Sequence, residues 1–339
     1  MQSSPELITP PPEGRSESSP EGAPCRSRPF VAIPSARLRR NDYIAYLISL
    51  MSGIVIIALL AGILQQLITM SAPALRRYGI GFLTGTVWDP VHEQFGALPF
   101  VYGTLVSSAL ALLLATPFGV GTALYLTEMA PKRVRTAVAF VVDMLAAIPS
   151  VVYGLWGIFV LAPFIQDVLA PWLERYFGFI PLFRGPNVGV SMLSAGIILA
   201  IMIVPYITAI AREVLITTPA DLKAASLALG ATKWETIWKV VLPYSRVGIG
   251  AGVVLALGRA LGETMAVTMV IGNTPEISAS LLRPGDSMAS VIANNFREAD
   301  TGIYLSALVS VGLVLFVVAL VINLAARVLL WRLRGAAKH

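Results

Sequence analysis

Charge is scarce in this sequence. Only 13% of its 339 residues are Asp, Glu, Lys or Arg, whereas 56% are hydrophobic. A soluble domain carries about 25% charged residues. A water-exposed fold this apolar would present large sticky patches, so a soluble globular protein is excluded. Disorder over most of the chain is excluded by the same figures. Cysteine is nearly absent: Cys25 is the only one, which rules out an intrachain disulfide and a cysteine metal cluster. Histidine is nearly absent too, and His92 with His339 leaves little for metal binding or imidazole catalysis. No G-x-x-x-x-G-K-[ST] phosphate loop occurs, and none of the five lysines follows a glycine, so ATP is not bound by that route. H-E-x-x-H and G-x-S-x-G are missing as well. We expect no catalytic residue, no metal site and no cofactor in this chain.

What is present divides into a short polar segment and a long apolar one. Residues 1–36 hold eight prolines, including Pro10-Pro11-Pro12, with much Ser, Glu and Gly. Such a composition buries too little apolar surface to offset chain entropy. It also lacks the apolar core of a signal peptide. We assign residues 1–40 to a disordered cytoplasmic tail and treat Cys25 as an ordinary tail residue. Residues 41–335 form the transmembrane domain, and 336–339 a cytoplasmic end. Six apolar runs fall at 43–70, 100–127, 136–163, 190–216, 246–272 and 302–330. Each exceeds the roughly 20 residues that cross about 30 Å of hydrocarbon. Each is expected to be a helix, because an isolated strand would leave its backbone unpaired in lipid. The fold class is therefore an all-α membrane protein with six transmembrane helices.

Basic residues set the orientation. One side collects the arginines from Arg15 to Arg40, then Lys132, Arg133 and Arg135, then those of 211–246, and finally Arg327, Arg332, Arg334 and Lys338. The other side has Arg76, Arg77, Arg175, Arg184, Arg283 and Arg297. The positive-inside bias places both termini in the cytoplasm and the chain in the cell membrane. The middle outer loop contains Trp172, Tyr176, Phe177 and Phe179. That density suits either a segment lying in the outer interface or packing between spans.

Three ionisable residues fall well inside the expected spans: Asp143, Arg259 and Glu263. A charge at such depth is costly and requires a partner or a wet cavity. Arg259 and Glu263 are four apart and would share a helix face with Gly252, Gly262 and Ala266. They form either a locking intrahelical ion pair or part of a pathway. The arginine fork suits an oxyanion, and a nearby Glu would keep that anion from binding permanently. Asp143 either pairs with Arg259 or supports backbone freed by Pro149. Thr104, Ser107 and Ser108 offer hydroxyls to a passing solute, or bond back to their own helix. Residues 217–245 form an expected cytoplasmic loop in which Pro219 and Asp221 start a short helix and Gly230 ends it. Such a helix either docks into a soluble partner or rests on lipid.

Within that loop, Gly230, Ile237, Leu242 and Pro243 match the E-A-A loop of ABC importer permeases. The triad here reads Ala224-Ala225-Ser226, without the family's Glu. Three further stretches are more specific: G-R-A-L-G-E-T-M-A-V-T-M-V-I-G-N at 258–273, A-A-I-P-S-V-V-Y-G at 146–154, and E-Q-F-G-A-L-P-F-V-Y-G-T-L-V-S-S at 93–108. Over about residues 40–335 the chain resembles the permease subunits of the high-affinity phosphate ABC importer, closest to the PstC type. The resemblance implies a type I ABC importer permease fold. It implies a sister permease (PstA type), an ATPase dimer that binds ATP and Mg (PstB type) and an extracytoplasmic phosphate-binding protein (PstS type). It assigns coupling to Ala224, Ala225, Ser226 and Gly230, and phosphate passage to Arg259 and Glu263. Asp221 or Glu235 would replace the missing Glu. The expected function is phosphate import by alternating access. The rivals are a permease for sulfate or molybdate, a phosphate-sensing regulatory subunit and, least supported by the residues, a membrane-embedded enzyme.

Overall fold

Helices in this chain start and stop where proline, glycine or a capping side chain dictates. The structure is a computed structural model that describes residues 35–186, 188–299 and 302–335, with side chains from Asp42 to Arg332. The described residues divide into two compact units at Leu60 and Ala61. The described part of the first unit is helical and presents apolar side chains such as Ile48, Ile57 and Leu59. Residues 1–34 of the expected tail lie outside the described residues. Its last six do not: helix α1 (Ser35–Tyr78) begins at Ser35, ahead of the expected boundary at 40. Pro34 is the last proline before Pro73, so no missing N–H or ring clash interrupts the helix between Ser35 and Ala72.

After α1 come the short α2 (Gly81–Thr84) and an antiparallel hairpin of β1 (Trp88–Asp89) and β2 (Gln94–Phe95), with Trp88 opposite Phe95. Helix α3 (Leu98–Leu124) continues through a π-helical turn, Tyr125–Met129. Helix α4 (Lys132–Ala147) follows, then α5 (Ser150–Trp156), α6 (Ala162–Phe164) and α7 (Ala170–Phe177), the last three joined by π-helical turns. Helix α8 (Met192–Ile216) leads to α9 (Ala220–Ala228). Then come α10 (Lys233–Thr236), a π-helical turn at Ile237–Val241 and α11 (Leu242–Leu261). Short helices α12 (Met265–Val270) and α13 (Met288–Asn295) precede α14 (Ile303–Gly335).

Six helical segments are long and apolar enough to cross a membrane: Asp42–Tyr78, Leu98–Met129, Ser150–Phe177, Met192–Ile216, Lys233–Leu261 and Ile303–Arg332. The second, fourth and sixth fall within a few residues of expectation. The third and fifth do not. Pro149 has no N–H and drives Ile148 to ψ 130°, which ends α4 and restarts the rod at Ser150. The third span is therefore 150–177 and not 136–163. Its far end carries Trp172, Tyr176 and Phe177, so these aromatics finish a spanning helix instead of lying in a separate loop segment. The fifth span starts early because Thr232 and Glu235 form a reciprocal capping box at Lys233. Its π turn lets Pro243 enter the rod without breaking it, and Gly262 ends it. The expected loop 217–245 thus shrinks to 217–232.

Residues 262–299, expected as an outer loop with part of a span, fold into the body. The end of α12 and the chain that follows it, from Val270 to Arg283, supply carbonyls to the open N-terminus of α8. Ser191 N–H donates to Val270 O, Met192 N–H to Arg283 O and Leu193 N–H to Leu281 O. These bonds satisfy the orphan donors that a buried helix start otherwise leaves. Around α8 lies the main core, with Ile198, Leu199, Ile203 and Ile207 fully buried. Helix α3 approaches α8 closely because Gly119 and Gly196 leave room for Ile207 and Leu110. The Thr208 hydroxyl shares its proton between Val204 O of its own helix at 2.8 Å and Gly119 O across that contact at 3.2 Å.

Candidate functional site

Arg259 sits near the end of α11 and is exposed along one side of the chain. Its guanidinium carbon lies 5.4 Å from the centre of the Tyr206 ring on α8. Tyr206 is 14 residues from one end of α8 and ten from the other, about 21 Å and about 15 Å at 1.5 Å per residue. The pair therefore lies near mid-depth of a spanning helix. A ring face stabilises a cation without cancelling its charge. Among the described residues, no carboxylate forms an ion pair with Arg259.

Glu263 does not share Arg259's helix face. Helix α11 ends at Leu261, and Glu263 falls in the break before α12. Its Oε1 accepts from Ala266 N–H at 3.5 Å, a long bond at the start of α12. The expected four-residue pairing fails because Gly262 stops the helix between its members. Asp143 is also displaced. It is exposed on α4, outside the membrane-length segments, and its expected pairing with Arg259 does not form. The cause is again the Pro149 break.

The hydroxyls of α3 are buried and mostly engaged. Thr104 donates to Phe100 O at 2.8 Å and accepts from Met288 N–H at 2.9 Å, which caps the first turn of α13. Ser107 donates to Gly103 O at 2.7 Å. Ser108 is buried with its Oγ unbonded. Thr104 and Ser107 therefore serve helix packing in this conformation.

A second cluster surrounds α9. This helix has no buried residue, and Leu222, Leu227 and Leu229 are exposed along with Ala224 and Ala225. Gly230 adopts φ +86°, Gly230 N–H donates to Leu227 O, and Ala231 N–H donates to Ser226 O. This is a Schellman close, which favours glycine at the left-handed position. Two side-chain links tie α9 to the body. Lys223 Nζ meets Glu128 Oε1 at 2.6 Å, and the hydroxyls of Ser226 and Thr236 lie 3.0 Å apart. Neither expected substitute for the missing Glu does this: Glu235 binds Thr232 and Lys239, and Asp221 is exposed.

Sequence reasoning missed Tyr206, Lys223 and Glu128. Tyr206 carries no local signal, because its partner lies 53 residues away in the chain. Lys223 falls among the basic residues of 211–246 and Glu128 carries no local signal, although their separation of 95 residues closes in space.

The family described as "Binding-protein-dependent transport system inner membrane component" matches residues 115–335. The phosphate transport system permease protein PstC of Mesorhizobium japonicum is 45% identical over 315 residues, covering 89% of this chain and 96% of that one. This chain belongs to the PstC permease family. The PstC protein of Xylella fastidiosa is 44% identical over 299 residues, covering 87% and 92% of the two chains. At the level of fold, the permease is similar to a chain of a bacterial alginate ABC transporter, with TM-score 0.56, 20% identity and coverage of 86% and 96%. The fold is accordingly that of a type I ABC importer permease, in a multi-pass membrane protein.

Proposed function

We propose that this chain is a permease subunit of an ATP-driven importer that carries inorganic phosphate into the cytoplasm. The reading rests first on the PstC relatives, whose names give phosphate transport and which match nearly end to end. The observation that carries it into chemistry is Arg259: a cation near mid-depth, exposed, backed by a ring and without a carboxylate partner among the described residues. A charge there costs about 3 kcal/mol on insertion scales, so an idle one is improbable in physical terms. Its planar fork donates two parallel hydrogen bonds to a phosphate oxygen pair. The Tyr206 ring supports the cation while leaving its charge available to the anion. Glu263 contributes by holding the start of α12 beside the path.

In this reading the sister permease completes the cavity facing Arg259, and an extracytoplasmic binding protein delivers phosphate to it. Two ATPase subunits bind ATP and Mg on the cytoplasmic side and meet the exposed face of α9 through Ala224, Ala225 and Leu229. Their closing and opening alternates access to the cavity. The basic residues of 128–135 and 211–246 support a cytoplasmic position for α9 and both termini. Radiolabelled phosphate uptake by the assembled complex in vesicles tests the proposal. Arg259→Gln, which keeps size and polarity but removes the charge, is expected to lower uptake at least ten-fold while the complex still assembles. Unchanged uptake would remove Arg259 from the path. Uptake of sulfate in preference to phosphate would overturn the cargo.

A further inference from the structure

Five side-chain ion pairs occur among the described residues, and four of them are local or well exposed. Arg212–Glu213, His92–Asp89 and Lys239–Glu235 join residues one to four apart. Arg77–Glu93 is about half exposed on both sides. Lys223–Glu128 is different: it joins elements 95 residues apart at 2.6 Å, with only 26% and 15% of the two side chains exposed. Shielded pairs are held more strongly than those in open water, and losing one partner leaves the other charge poorly solvated.

Its placement matters more than its strength. Helix α9 buries no side chain, so apolar packing does not fix its position. It is tethered by polar contacts on two sides. Ser226 ties it to Thr236 at the start of the fifth span, and Lys223 ties it to Glu128 at the end of the second. Beyond Glu128, the rod of α3 is locked to α8 by the Gly119–Ile207 approach and the Thr208–Gly119 bond. Residue 206, whose ring lies under Arg259, is the immediate neighbour of Ile207. The Glu128 end is a π-helical turn, a geometry that recurs at functional sites within helices.

We infer that Lys223 and Glu128 form a positioning pair that makes the second span follow α9, so that motion imposed on α9 reaches the α3–α8 unit as well as the fifth span. The inference rests on the transport reading above. Without the pair, α9 moves with the fifth span alone. ATP hydrolysis then continues, but the cavity around Arg259 opens and closes incompletely.

The test is the ratio of ATP hydrolysed to radiolabelled inorganic phosphate taken up, measured on the purified full complex in proteoliposomes with its binding protein. Lys223→Met and Glu128→Gln are each expected to keep hydrolysis within about two-fold of wild type. The ratio should rise roughly ten-fold. The exchanged pair, Lys223→Glu with Glu128→Lys, should bring the ratio back toward wild type. A merely structural pair would lower hydrolysis and uptake together and leave the ratio unchanged, and that result overturns the inference. An exchanged pair no better coupled than the single variants overturns it too. Should the single variants fail to assemble, Glu128→Asp keeps the charge but shortens its reach, and a ratio equal to wild type there counts against the pair. A wild-type complex that hydrolyses ATP but takes up no phosphate would instead defeat the transport reading, so the two failures are distinguishable.

Discussion

Tyr206 and Arg259 act on each other through a ring face at 5.4 Å, and nothing in their local sequence pairs them. A partly exposed cation–π contact contributes about 0.5–1 kcal/mol. Tyr206→Leu is therefore expected to raise the phosphate KM about two- to five-fold with little change in maximal uptake. Tyr206→Phe, which keeps the ring, should behave as wild type, and an equal loss in both variants would assign the effect to the hydroxyl. A second residue-scale consequence concerns Asp286, in the chain packed beside α8. Its side chain is 4% exposed, and burial pushes its carboxyl from the ordinary 3.8 up to about 6, against the opposing hydrogen bond from Ser287 N–H. A raised carboxyl binds its proton more tightly folded than unfolded. This group's contribution to stability is therefore full below about pH 4 and is lost as pH rises to about 6, roughly 2–3 kcal/mol in all at about 1.4 kcal/mol per pH unit. Asp286→Asn should raise the melting temperature of the detergent-solubilised complex at pH 7 and flatten its profile between pH 4 and 7. A variant less stable than wild type at pH 7 would show that the carboxylate is held by favourable contacts.

Helix α9 shows how much of an element local chemistry dictates. Pro219 before it and Gly230 after it bound α9 in the sequence, and the structure places its ends at Ala220 and Ala228. Gly230 is required by its φ of +86°, not by space, since a Cβ there meets no atom within 4 Å. Gly230→Ala forces a left-handed alanine at a cost of about 1–2 kcal/mol. Hydrogen–deuterium exchange at the end of α9 should accelerate at least five-fold. Gly230→Asn should have a smaller effect, because asparagine tolerates that region better. Equal exchange in Gly230→Ala would mean that α9 is held by its partners and not by its own closing turn. The third and fifth spans illustrate the limit of hydropathy. The apolar run at 136–163 includes the Ile148–Pro149 break, and the true rod continues past it through aromatics to Phe177. A window that averages hydropathy registers neither the missing N–H of Pro149 nor the capping box at Thr232.

At the scale of the whole molecule, charge placement predicts topology. Cys25 is the only cysteine and lies in the segment assigned to the cytoplasm. A membrane-impermeant maleimide should leave it unmodified in right-side-out vesicles and label it after permeabilisation. Labelling of intact vesicles would invert the assignment of both termini. The same scale explains the core. Among the described residues, helix α8 is the most buried spanning segment. The flanking spans close on it through glycine contacts such as Gly119, Gly196, Gly248 and Gly252.

By itself, the sequence determined the solvent, the helical class and the span count. Continuous apolar runs of more than about 20 residues suit helices, which pair their backbone within each segment, whereas the strands of a closed barrel are about half as long. It also determined α9, whose ends are set by residues within a few positions of each other, and it singled out Arg259 by the cost of its depth. Only the tertiary structure decided what those residues meet. It separated Glu263 from Arg259 at Gly262, moved Asp143 out of the spans at Pro149 and committed Thr104 to α13. It also joined Lys223 to Glu128 and Arg259 to Tyr206. Pairings of this kind depend on the close approach of helices distant in sequence, and no local periodicity encodes that approach.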